Sequence, residues 1–263
     1  MVVDYAHFGD VVTFDTTFGT NKEYRPFDVF LGLNQFRETT VFGAALLFDK
    51  TYDSFKWLFE TFLVAHNGRQ PRNIYTDQDA AIGKAIGKVF TESYHGLCTF
   101  HIMQNAIKHL SPLKGEEKDE EKGEDEEEKP HIITDFSECM YGYEDKAEFK
   151  EAFDNMRHKV HKQTWLDSIY KFKEKWAECY MRDVFSLGVR STQLRESFNN
   201  SLKSQLKLDF HIVRFLLHFE RTVEVKRTKE LQSGFETRKK LPRIKMHTPM
   251  LVLASEVYTP NIF

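Results

Sequence analysis

A chain of 263 residues, 41% of them hydrophobic, has room for one large domain or two small ones. No apolar run is long enough to cross a bilayer and no signal-peptide pattern follows Met1, so a soluble, intracellular protein without a membrane partner is expected. Three scattered cysteines (Cys98, Cys139, Cys179) exclude a disulfide framework, and 24 phenylalanines point to a core built on aromatic packing.

The net charge of −3 conceals an asymmetry. Residues 115–129 hold ten acidic and three basic side chains, a low-complexity run expected to be disordered in isolation. Residues 188–247 hold fourteen Lys/Arg against six Asp/Glu. That basic third suits a phosphate backbone, although a basic helical face is often only solvated surface.

In chain order, residues 4–10 read as a lead-in. Residues 10–18 then form a strand of Val, Thr and Phe interrupted by one carboxylate, Asp15. An unpaired charge in a buried strand costs several kcal/mol, so Asp15 is either hydrogen-bonded locally, for example to Thr16 or Thr17, or serves metal binding or catalysis. Residues 25–34 and 39–48 continue as strands, giving an antiparallel meander. A helix capped by Asp53 or Ser54 follows to about residue 67, then a strand over 72–76 that ends at Asp77. Asp79 caps a second helix to residue 90, a fifth strand covers 94–101, and a helix covers 103–110. The order β-β-β-α-β-α-β-α is that of the ribonuclease-H-like fold.

Beyond the acidic run the chain is helical. The periodicity predicts helices over 146–159 and 164–180, one starting at Ser191 or Thr192, and one from Asp209 to about residue 234. This predicts a core over 1–111, an acidic loop and connector over 112–145 and a helical insertion over 146–187. Last core helices would span 188–240, and a segment over 241–263 ends in mid-pattern, as a truncated chain would.

Asp77 closes a strand at the sheet edge where open α/β sheets bind ligands, and is preferred there to Asp79, an N-cap. Glu196, among apolar positions of a helix, reads from its residues alone as an exposed glutamate. Cys98 and His101, three apart on a strand, would point to opposite faces unless the strand ends between them. A structural zinc there would need His95 or His109 to join.

The segments FDTTFGTNKEYRPF, IYTDQDAAIGKAI, CTFHIMQNAIKHL, FSLGVRSTQLRESFNNSLK and SEVYTPNIF resemble the Mutator-like (MULE) transposase domain. More narrowly, they resemble the plant FAR-RED IMPAIRED RESPONSE family, domesticated from such transposases. The resemblance implies an α/β, ribonuclease-H-like (DDE transposase) core with an inserted helical domain. It implies an acidic triad of Asp15, Asp77 and Glu196 that would hold Mg²⁺ or Mn²⁺, Asp15 bridging two ions. Cys98 and His101 fall on the family's Cys-x-x-His motif and would pack beside the carboxylates and orient them. Zinc belongs to modules of the full-length family and is not expected in this chain.

By the same resemblance, the chain would be a DNA-associated, dimerising domain of a nuclear transcription regulator. The alternative is an active Mg²⁺-dependent transposase that nicks and joins DNA. Two departures are the length and charge of the acidic run, which would repel DNA near the site, and Arg195 in place of a small polar residue.

Overall fold

The computed structural model describes residues 1–17, 21–110, 131–160, 163–189, 210–239 and 244–258, with 194, 198, 202 and 263. Among these, β1 (Val11–Thr17), β2 (Phe27–Leu33), β3 (Thr39–Leu46), β4 (Asn73–Thr76) and β5 (Tyr94–Leu97) form one mixed sheet. Its order is β3-β2-β1-β4-β5, with β1–β2 and β2–β3 antiparallel and β1–β4 and β4–β5 parallel. Parallel neighbours need crossovers, and α2 (Tyr52–Ala65) and α3 (Ala80–Val89) supply them. A short helix, α1 (Val2–Phe8), replaces the expected lead-in.

Alternation along β1 sorts the core. Val12 and Phe14 face α2 and α3 with Phe30, Phe42, Phe55, Phe59, Phe62 and Phe90. Phe30 stacks on Phe62 at 4.0 Å and Phe14 meets Phe59 edge-on at 4.9 Å. Each such buried ring contributes about 1.5–3 kcal/mol, so this face holds most of the sheet's stability. The other face carries Val29, Leu31 and Val41 against Phe198, Leu202 and the long helix α9 (Ile212–Lys239). Val11 and Tyr75, on that same side, pack with Met181, Val189 and Leu194.

Helix α4 (Thr99–Leu110) leaves β5 at once and starts a separate core. Its Ile102 and Ala106 pack with α5 (His131–Tyr141), α6 (Lys146–His158), α7 (Thr164–Tyr170) and α8 (Glu178–Met181) around Phe136, Phe149, Phe153 and Trp176. Helix α5 lies within the stretch 112–145 read as loop and connector, and packs in this second core. The helix predicted over 164–180 breaks after Tyr170 into a 3₁₀ turn (Lys173–Lys175) and α8; the Trp176 indole N–H donates to the Ile169 carbonyl at 3.0 Å inside that break. The acidic run, Ser191, Thr192 and Asp209 lie outside the described residues. A last helix, α10 (Pro249–Val257), is capped by Thr248. No described helix is long and apolar enough to cross a membrane.

Two caps test the sequence reading directly. Asp79 caps α3 as predicted, accepting from the amides of Ala81 and Ile82 at 2.8 and 3.0 Å. Helix α2 is capped by Thr51 rather than Asp53 or Ser54, and Asp49 accepts from the Thr51 and Ser54 hydroxyls at 2.8 and 2.6 Å.

One charge is out of place in the sheet. Asp28 pairs in register with Thr16, is fully buried, and accepts the Thr16 hydroxyl at 2.6 Å. Burial pushes its carboxyl up to about 7, against the downward pull of Thr16 and Lys50. The folded value lies above the unfolded one, so the stability tied to its proton is full below about pH 4 and lost as pH rises through about 7. Asp28→Asn is therefore expected to raise stability at pH 8 by up to about 4 kcal/mol and to change it little at pH 4. Thermal melts at the two pH values check this; a lower melting temperature at pH 8 would refute it.

Candidate functional site

Asp15 is the buried carboxylate of β1, 4% exposed, and shares its sheet face with Val11 and with its cross-strand partner Val29. The β1–β4 register ends at Thr13↔Tyr75, and two residues further along each strand are Asp15 and Asp77. The parallel pairing thus places Asp15, within β1, and Asp77, just past the end of β4, on neighbouring segments of the sheet. Glu196 lies outside the described residues. Its neighbours Leu194 and Phe198 pack on that face, against Val11 and Tyr75 and against Phe27 and Val29.

The fifth strand ends at Leu97, four residues short of the expected His101, and this changes the geometry of Cys98 and His101. The Cys98 amide donates to the Thr76 carbonyl at 2.8 Å, extending the β4–β5 ladder by one step. Its carbonyl accepts the Ile102 amide at 3.1 Å, opening α4. Cys98 is therefore fixed at the junction of strand and helix, 1% exposed, and His101 comes round in the first helical turn. Both converge on Asp77: one ligand atom from each of Asp77, Cys98 and His101 lies within 4.8 Å of the other two. Asp15 is not a member of that cluster.

His101 Nδ1 makes an ion pair with Asp77 Oδ1. Burial works against a charge on the imidazole, but Asp77 and then Cys98 outweigh it and lift His101 to about 10. His101 is thus a cation at neutral pH.

His95 and His109 do not join. His95 points to the opposite face of the sheet, where its Nε2 lies 2.8 Å from the Thr76 hydroxyl and its Nδ1 3.0 Å from Lys175 Nζ. Burial and then the Lys175 charge lower its pKa to about 3. A neutral ring that accepts from the ammonium carries its proton on Nε2 and donates it to Thr76, whose hydroxyl donates to the Asp77 carbonyl at 2.9 Å. His109 stacks on Trp165 with ring centroids 5.5 Å apart. The relay from Lys175 to Asp77 had no signal in the sequence, since its members lie 80, 19 and 1 residues apart.

Residues 11–105 match the family model of the MULE transposase domain. The chain is similar to FAR1-RELATED SEQUENCE 5 of Arabidopsis thaliana, 32% identical over 264 residues that cover 100% of the chain and 32% of that protein. FAR1-RELATED SEQUENCE 9 of the same plant is 28% identical over 99% of the chain and 46% of its own length. FAR-RED IMPAIRED RESPONSE 1, also from Arabidopsis thaliana, is 26% identical over 99% of the chain and 30% of its own length. The chain thus spans between 30% and 46% of the length of these curated relatives.

The convergence on Asp77 has a direct spectroscopic consequence. In Asp77→Asn the strongest support for the imidazolium is gone while burial still opposes it, so His101 should titrate far below about 10. Histidine ring resonances followed by NMR against pH check this. A His101 that stays charged to the wild-type value would show that Asp77 is not its counter-ion.

Proposed function

From a chain that carries a MULE transposase domain and has FAR1-related homologues along its whole length, we infer a transposase-derived, DNA-associated domain of a nuclear transcription regulator. Its acidic site is kept in form and not used in catalysis. The name of one relative, FAR-RED IMPAIRED RESPONSE 1, supports a role in the far-red light response.

The core reads as ribonuclease-H-like. Three antiparallel strands followed by two parallel ones in the order β3-β2-β1-β4-β5 support that reading. Glu196 stands as the third carboxylate on the family resemblance alone.

The ion pair between His101 and Asp77 carries the regulatory reading over the catalytic one. Asp15 and Asp77 are hard oxygen donors on neighbouring strands, as Mg²⁺ or Mn²⁺ requires. The Cys98 sulfur and the His101 imidazole beside Asp77 are softer donors, and His101 is also its ion-pair partner. The donor set around Asp77 does not fit Mg²⁺.

DNA contact would fall to the basic third. On α9 part of that charge is spent locally, Arg227 on Glu224 at 3.7 Å and Lys239 on Glu236 at 3.8 Å, so contact would be to phosphates and salt-sensitive. The same helix exposes Val213, Val225, Leu231 and Phe235, which supports pairing with a second copy or a related chain.

Asp15→Asn separates the readings. In the full-length parent it should leave reporter activation and DNA binding, measured by fluorescence anisotropy at rising salt, unchanged. Neither protein should nick supercoiled DNA in Mg²⁺ or Mn²⁺. Metal-dependent nicking by the wild type that Asp15→Asn abolishes would overturn the regulatory reading and establish a working transposase.

A further inference from the structure

We propose that Asp77, Cys98 and His101 form a binding site for one thiophilic divalent transition-metal ion, with zinc the best match. This does not rest on the regulatory reading and would hold for a catalytic domain as well. Two objections stand against a zinc at Cys98 and His101 in the sequence reading: a strand running through His101, and the need for His95 or His109 as a further ligand. With the strand ended at Leu97 the first disappears, because Cys98 and His101 turn to one side and meet Asp77. His95 and His109 stay away, so Asp77 is the third ligand and the fourth comes from outside the three.

The donors match the ion in three respects. Their ligand atoms lie within 4.8 Å of one another. Bonds of about 2.0–2.3 Å in a tetrahedron place ligand atoms roughly 3.3–3.8 Å apart, within reach of small rotations of the Asp77 and His101 side chains. A thiolate, a carboxylate and a neutral imidazole together cancel a divalent charge, so a buried Cys98 sulfur would carry no net penalty at the loaded site. Sulfur and imidazole select zinc, cobalt or iron over Mg²⁺.

The site is held by backbone rather than by chance. The ladder bond from the Cys98 amide to the Thr76 carbonyl ties the two chain segments together before any metal arrives. Cys98 closes the inner side, while Asp77 and His101 are partly open to solvent. The fourth position therefore faces outward, to water or to a ligand atom from a partner, as in open zinc sites. Binding releases the thiol proton of Cys98 and the imidazolium proton of His101. An ion here takes an oxygen of Asp77, so loading would exclude Mg²⁺ from the pair it forms with Asp15.

Cobalt(II), titrated into the metal-free chain, is the probe. One equivalent should produce a thiolate-to-cobalt charge-transfer band and tetrahedral d–d bands, bleached by zinc and unaffected by excess Mg²⁺. Cys98→Ser should remove the charge-transfer band, while Cys139→Ser and Cys179→Ser keep it. His101→Gln, at a partly exposed position, should shift the d–d bands and weaken binding in a protein whose circular dichroism is unchanged. No charge-transfer band in the wild type, a band that survives Cys98→Ser, or d–d bands indifferent to His101→Gln would each overturn the site.

Discussion

The parallel pairing of β4 with β1 is the constraint on which the rest depends. β1 already holds β2 antiparallel on its other edge, so β4 must enter beside it in the one open position. The amide of Asn73 donates to the carbonyl of Asp10 at 2.9 Å and sets the register at the strand entrance. Arg69 reinforces that entrance, bonding the Asp10 carboxylate at 2.8 Å and receiving support from the Tyr5 ring. A slip of one residue would turn Tyr75 out of its core and move Asp77 to the face opposite Asp15. The crossover that makes this pairing possible, α2, is also the element that buries Phe55, Phe59 and Phe62. Sheet topology and aromatic core are therefore one commitment.

Much of the sheet was legible because its signals are local. Strand-forming runs around Asp15 and the N-cap at Asp79 each act within a few residues, and the first four strands and the two crossover helices fell where the pattern put them. What failed was non-local or depended on where an element stops. Tyr94 to His101 contains strand formers throughout, yet the β4–β5 ladder runs out when β4 ends at Thr76, and the chain after Cys98 is free to coil. Thr164 to Tyr180 keeps a helical period, yet Trp176 is drawn into a core shared with Phe136 and Phe149, and that packing breaks the helix. Asp15 was singled out as an Asp in an apolar strand, and it is buried there. The cluster at Asp77 was hidden by one misplaced strand end.

The helical insertion is joined to the site by more than chain connectivity. Lys175, on the 3₁₀ turn of the insertion, anchors a run of hydrogen bonds through His95 and Thr76 that ends on the carbonyl of Asp77. Its polarity is fixed throughout, because an ammonium can only donate and the neutral ring must then donate from Nε2. Helix α4 makes the second link. It begins at Cys98 and buries Ile102 and Ala106 in the insertion core. Moving the insertion relative to the sheet would therefore pull on Asp77 from below and on His101 and Cys98 from the side.

That coupling bears on how the charge of Asp77 is balanced. A two-ion site needs carboxylates left to oxygen-loving ions, and its positive charge must arrive with the metal. At Asp77 the positive charge is supplied by the protein, from a histidine whose imidazolium is held by Asp77 and Cys98 together. A core that provides its own counter-charge keeps its carboxylates from repelling one another without any metal, and so keeps the fold. Cys98 adds a second possibility to the same carboxylate, since a thiol beside an imidazole answers to a softer ion than Mg²⁺. Between the proton on His101 and a thiophilic ion in its place, Asp77 has two ways to be neutralised, and neither is Mg²⁺.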